Sequence, residues 1–138
     1  MALRILGVDI KGGRANFGLL EAGDDGEMWV PLEPRYVELA DLFDTDEVRQ
    51  VATQVGALLS EHNVDALAIR KRATKGKFAG GAASFRMGAI LQMASAPRQV
   101  TFITSQAAKK AAKDRALPSE VLAYQRDAWL CALVGMNG

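Results

Sequence analysis

The chain has one cysteine, Cys131, and one histidine, His62, in 138 residues. A lone thiol excludes an internal disulfide, and the apolar neighbours of Cys131 mark it as a buried thiol of a reducing compartment, so a cytoplasmic location is expected. Without a Cys/His cluster, a zinc site is not expected. A Ser/His/Asp or Cys/His nucleophilic site would have to use His62, which falls at the end of a helical pattern and is poorly placed for it. No apolar run approaches the roughly 18 residues that suggest a membrane span. The opening Met1-Ala2-Leu3-Arg4 lacks the layout of a secretory leader, so no membrane partner is expected. The glycines form neither the Gly-x-x-x-x-Gly-Lys-Ser/Thr loop nor the Gly-x-Gly-x-x-Gly fingerprint. Aromatic residues make up only 7% of the chain, so Phe78 and Phe85 are expected as core anchors, with stacking on nucleic-acid bases as the alternative.

What is present is charge, unevenly placed. Residues 1–69 hold 5 basic and 13 acidic residues, a net of −8; residues 70–138 hold 12 basic and 3 acidic, a net of +9. Either the surface is polarised and suits a partner of one sign, or the two halves pack together and neutralise each other. The sharpest local feature is Arg70-Lys71-Arg72-Ala73-Thr74-Lys75-Gly76-Lys77-Phe78-Ala79-Gly80-Gly81. It joins a strand-like apolar run to a helical pattern. Cations, glycines that let a ligand approach the backbone, and a helix start with unpaired N–H groups together suit an anion, foremost a phosphate. Arg70, Lys71, Arg72, Lys75, Gly76, Lys77, Gly80 and Gly81 are therefore the candidate phosphate-binding or nucleic-acid-binding residues, with DNA and RNA equally open. Solvated loop charge is the competing reading for Lys75 and Lys77.

Hydrophobic periodicity predicts alternating elements. Leu3 to Ile10 reads as a strand, Lys11-Gly12-Gly13 as a tight turn, and Arg14 to Glu21 as the returning strand with Ala15, Phe17 and Leu19 on one face. Gly23-Asp24-Asp25-Gly26 is a second turn. A third strand starts at Glu27, is interrupted by Pro31 and Pro34, and continues through Arg35 to Leu39. Asp44 and Glu47 form a capping-box-like pair before a helix to Glu61, whose Val48, Val51, Ala52, Val55, Leu58 and Leu59 share a face; Asn63 is its stop. Ala66 to Ile69 is a buried strand. A helix over Ala82 to Ala94, a strand over Gln99 to Thr104, a helix over Gln106 to Lys113 capped by Ser105, and a last helix opening at Pro118 and Ser119 complete the order.

That order, βββαβαβαα, resembles the RNase H-like superfamily, and the local match is to its RuvC-like branch, the Holliday-junction resolvases and their relatives. Ile5-Leu6-Gly7-Val8-Asp9-Ile10-Lys11-Gly12-Gly13 resembles the opening strand, aspartate and glycine turn of that branch; Ala66-Leu67-Ala68-Ile69-Arg70 resembles its fourth strand, Val100 to Thr104 its fifth, and Arg126-Asp127-Ala128-Trp129-Leu130-Cys131-Ala132-Leu133 its late Asp-Ala helix. Through Thr74 to Gly81 the chain also resembles a small bacterial family of uncharacterised proteins with this presumed fold. The resemblance implies one α/β domain, residues 1–138: a mixed five-stranded sheet, antiparallel at first and then parallel, flanked by helices.

It also implies a chemistry. Nucleases of this type hold two divalent metals, typically Mg²⁺, between carboxylates on either side of the scissile phosphate. Asp9 and Asp127 would take the catalytic positions, although Asp9 serving only its turn and Asp127 serving only a helix surface are the alternatives. The fourth strand should end in a glutamate, and here it ends in Arg70-Lys71-Arg72. No acidic residue lies between Asp65 and Asp114. No residue is assigned as a metal ligand, and a Mg²⁺ cofactor is expected only if the chain is catalytic. Three classes remain open: a nucleic-acid-binding module with a degenerate metal site, a metal-dependent structure-specific nuclease using Asp9 and Asp127, and a protein-interaction domain that self-associates into a homo-oligomer.

Overall fold

The computed structural model of the chain describes residues 2–24, 26–41, 43–71, 81–115, 118–119 and 121–137. Strands β1 (Leu3–Lys11), β2 (Arg14–Gly23), β3 (Gly26–Val30) and β4 (Tyr36–Glu38) precede helix α1 (Thr45–Glu61). Then follow β5 (Ala66–Arg70), α2 (Ala82–Ala94), β6 (Gln99–Ile103), α3 (Ser105–Asp114), a single 3-10 turn (Ala123–Gln125) and α4 (Arg126–Asn137). The sheet order is β3-β2-β1-β5-β6. β1, β2 and β3 are antiparallel, whereas β5 runs parallel to both β1 and β6. This is the expected mixed RNase H-like sheet, and its parallel half needs the crossovers that α1 and α2 supply.

The sheet has six strands rather than five. Tyr36–Glu38 does not continue β3; it pairs on its own with Arg14–Asn16 of β2. Pro31 and Pro34 separate the two pieces, because proline cannot donate to the ladder. Gly12 takes a φ of +60° in the turn that sets Lys11 opposite Arg14, a conformation glycine adopts without steric cost. Asp44 caps α1 by accepting from the N–H groups of Asp46 and Glu47. Glu47 departs from the capping-box expectation: its carboxylate reaches the N–H groups of Ala40 and Asp41 instead. Thr104, rather than Ser105, caps α3. The last helix begins at Arg126, eight residues beyond Pro118.

Strand alternation divides the core into two layers. Leu6, Val8 and Ile10 of β1 and Leu67 and Ile69 of β5 point to one face, with Val51, Val55, Leu58 and Leu59 of α1 and Met87, Ile90 and Leu91 of α2. Ile5 and Ala68 point to the other, against Trp129, Leu130, Cys131, Ala132 and Leu133 of α4 and Ala108 of α3. α4 lies unusually close to the sheet. Gly7 and Gly18 face each other across β1 and β2. A Cβ on Gly7 would overlap the carbonyl oxygen of Ala128 and come within 2.7 Å of the Ala132 nitrogen; one on Gly18 would lie 2.9 Å from the Trp129 nitrogen. The glycine pair is a furrow in which the helix backbone rests.

Gly7→Ala should therefore destabilise the fold by about 3 kcal/mol or more, the upper end for overpacking, because backbone rather than a pliable side chain blocks the new methyl. Gly56→Ala in α1, with nothing within 4 Å of the added carbon, should stabilise by up to ~1 kcal/mol through helix propensity alone. Denaturant melts of the two variants beside the parent check both signs; equal effects would remove the furrow as a constraint.

Candidate functional site

The same alternation that buries Ile5 and Gly7 under α4 turns Asp9 and Lys11 to that face. On β5, Ala68 and Arg70 share it. Val8 pairs with Ile69, so Arg70, the next residue, comes beside Asp9 at the carboxyl ends of two parallel strands. Asp127, in the first turn of α4, is carried over the same spot by the seating of that helix in the furrow.

The result is a compact four-charge cluster. Asp9 is 0% exposed. Nη1 of Arg70 lies 3.0 Å from Oδ2 of Asp127 and 3.8 Å from Oδ1 of Asp9. Nζ of Lys11 lies 3.7 Å from Oδ2 of Asp9 and 3.9 Å from Oδ2 of Asp127. Each cation thus faces both carboxylates. The other Arg70 terminal nitrogen, Nη2, donates a long 3.4 Å bond to Ser105 Oγ. The two cations differ in setting: the Arg70 side chain is 19% exposed and that of Lys11 60%. Arg70 is a structural counter-ion, whereas Lys11 stands at the mouth.

A pair of divalent metals does not fit this donor set. Mg²⁺ sites are built from oxygen ligands, and here two cationic side chains stand between the two carboxylates. Among the described residues no group of three or more His, Cys, Asp or Glu side chains could hold a metal ion.

Around the cluster, Arg14 opens β2 at the same end of the sheet. Its guanidinium covers the Tyr36 ring at 3.7 Å and stands 5.0 Å from the Tyr124 ring, while Nε donates to Asn16, the register partner of Asp9. Lys71 is exposed, with its backbone N–H bonded to Ile103, and Gly81 is the residue before α2. Arg72, Lys75, Gly76, Lys77, Phe78 and Gly80 lie outside the described residues. The structure thus brings together Asp9, Asp127 and Arg70 of the sequence candidates. Period-two reasoning could have added Lys11, two residues beyond Asp9 on the same strand face. Ser105 carried no such signal, since it reads equally well as a helix cap. The charge halves meet in part: Arg115 of the second half pairs with Glu27 of the first, whereas Arg70 lies between Asp9 of the first half and, closer to it, Asp127 of the second. Phe85 is not a core anchor; it is 45% exposed.

The chain belongs to a family described as "Protein of unknown function (DUF3010)", whose model matches residues 3–135. No curated protein matches it. Among solved structures, Thermus thermophilus RuvC is similar over 96% of this chain and 92% of its own, at 15% identity and a TM-score of 0.74. The same protein in complex with a Holliday junction substrate matches at 14% identity and a TM-score of 0.73, over 96% and 91% of the two chains. A Fowlpox virus resolvase in complex with Holliday junction DNA matches at 12% identity and a TM-score of 0.55, over 98% and 97%. These likenesses establish the RuvC-like, RNase H-like fold.

Removing one member of a buried ion pair leaves its partner's charge uncompensated. Arg70→Ala should cost about 3 kcal/mol of stability, near the lower bound for a fully buried pair. Lys11→Ala, at a solvated position, should cost no more than ~1 kcal/mol. Urea melts of the two variants test the difference, and equal small effects would show that Arg70 is not the structural cation.

Proposed function

We propose that this member of the DUF3010 family binds nucleic acid through the end of the sheet where β1 and β5 finish, and that it does so without cutting. The observation that carries the reading is the position of Arg70 and Lys11 between Asp9 and Asp127. In a nuclease of this fold class the space between such carboxylates belongs to metal ions that stabilise the attacking and leaving oxygens of the phosphate. Here protein cations supply the neutralising charge. A guanidinium and an ammonium can hold a phosphate by hydrogen bonds and charge, but they do not generate a hydroxide nucleophile.

Nucleic acid is favoured as the partner by the cationic sequence from Arg70 to Lys77, which leaves from this cluster, and by Lys11, Arg14 and Lys71 at the same end. The fold likeness to proteins solved with Holliday junction DNA points the same way. Phosphate contacts of this kind position a duplex or junction without reading its sequence. In this reading Asp9 and Asp127 anchor Arg70 and Lys11, and the catalytic roles that the resemblance gives them do not operate.

Fluorescence anisotropy with a four-way junction, a duplex and a single strand, each at several salt concentrations, tests the proposal. Binding should weaken steeply with salt. Replacing Lys75 and Lys77 together should make the slope of log affinity against log salt shallower by about 1.8, two contacts' worth on duplex DNA, with a stability change within about ±0.5 kcal/mol. Isothermal titration should find no high-affinity Mg²⁺ site. Specific cleavage in Mg²⁺ or Mn²⁺ that Asp9→Asn abolishes would overturn the noncatalytic reading. Unchanged affinity in the folded double variant would remove the 70–77 segment as the binding element.

A further inference from the structure

At the same end of the sheet, on the face opposite the charge cluster, α2 stands away from the β5–β6 edge and leaves a cleft of about 430 Å³. Its walls are Phe85 from α2 and Phe102 from β6, 45% and 44% exposed. Ile10, Ile69 and Gly88 form an apolar floor, and Gln92, Lys71 and Arg70 of the charge cluster also border the cleft. Ser84, also at the cleft, is already satisfied, donating to the carbonyl of Gly12. A roomier cleft of about 520 Å³ lies elsewhere, lined by Trp29, Leu32, Glu33, Arg35, Glu61 and His62, but its one arginine already pairs with Glu33 and Glu61 opposes an anionic ligand.

Two partly exposed aromatic rings lining one cleft form a concave apolar surface of the kind that marks ligand sites. Their cleft combines aromatic walls, an amide able both to donate and to accept, and an ammonium on its border. A flat aromatic ring with a hydrogen-bonding edge and an anionic tail is the chemistry these groups complement. A nucleobase carried on its sugar-phosphate has that chemistry. Lys71 is exposed at the border of the cleft, so a phosphate held by its ammonium would lie at the cleft mouth.

We infer that this cleft takes one unstacked base of a bound nucleic-acid strand, held against Phe85 and Phe102, with Gln92 on the base edge and Lys71 on the adjoining phosphate. The inference rests on the nucleic-acid reading and deepens it. The protein would prefer DNA that offers an unpaired base, as at a mismatch, a gap or the crossover of a junction, over a continuous duplex. Base stacking on aromatic rings is tolerant of sequence, so the preference is for structure rather than for a particular base.

The test uses the full chain and two duplexes that differ at one position. One carries 2-aminopurine opposite an abasic site; the other carries it paired with thymine. The parent protein should bind the first about tenfold more tightly and should alter the fluorescence of the unpaired 2-aminopurine on binding. Phe102→Ala should remove that preference and the fluorescence change while leaving affinity for the paired duplex and its salt slope as they were. Phe102→Trp should retain both. Equal affinity of the parent for the two duplexes would overturn the cleft assignment while leaving nucleic-acid binding in place; absence of binding to either would take both down. Tight binding of free dAMP with no preference between the duplexes would make this a mononucleotide site and overturn the strand. A concentration-dependent dimer that Phe85→Ala dissolves would assign the cleft to a second copy and likewise overturn the inference.

Discussion

The close approach of α4 to the sheet organises everything else in this molecule. Without side chains on Gly7 and Gly18, the backbone of Ala128 and Trp129 sinks between β1 and β2. That contact buries Trp129, Cys131 and Ala132 against Ile5 and Ala68. It also fixes the height and rotation of the helix, and with them the position of Asp127. The carboxylate at the start of α4 meets the carboxylate of β1 because two hydrogen atoms occupy the place of two methyl groups. Packing and electrostatics are one problem here: a helix lifted by a single carbon would separate the charges.

Once the carboxylates are together, something must neutralise them. A buried Asp9 beside Asp127 without compensation would be severely unfavourable. RNase H-like nucleases meet this requirement with metal ions, which they then use in catalysis. In this chain Arg70 and Lys11 meet it from within, at 3.0 to 3.9 Å. The neutralising charge is thus part of the chain itself.

Much of this was legible in the sequence because it follows from periodicity. An apolar run marked β1, alternation marked β2, the 3.6-residue pattern marked α1, and continuous apolarity marked β5, so the mixed sheet could be written down before any coordinates. The substitution of a cation for the expected acid at Arg70 was visible as an anomaly in a matching motif. Other features were set by tertiary contacts that leave no local mark. Tyr36–Glu38 joins β2 because prolines divert the chain, and no pattern within three residues says which strand it meets. Pro118 and Ser119 look like a helix start, yet the helix waits for Arg126, where the furrow receives it. Thr104 and Ser105 are adjacent hydroxyls, and only geometry chooses which one caps. α2 is apolar on nearly every side, so its pattern could not tell that Phe85 faces outward, nor that Gly88 leaves room beneath it.

The two borders of the sheet have unequal fates. On the β3 side the border strand is also five residues long, Gly26–Val30, but Pro31 ends it and the chain turns back as β4 against β2. On the β6 side the last strand is five residues long, parallel, and carries the half-exposed Phe102, and among the described residues no further strand pairs with it. Such an edge is a template for intermolecular pairing. Its brevity and the polar Gln99 and Thr101 limit that hazard, and a polyanion lying across this border would limit it further. Solubility would then depend on occupancy: the protein should be most prone to aggregate when it has nothing bound.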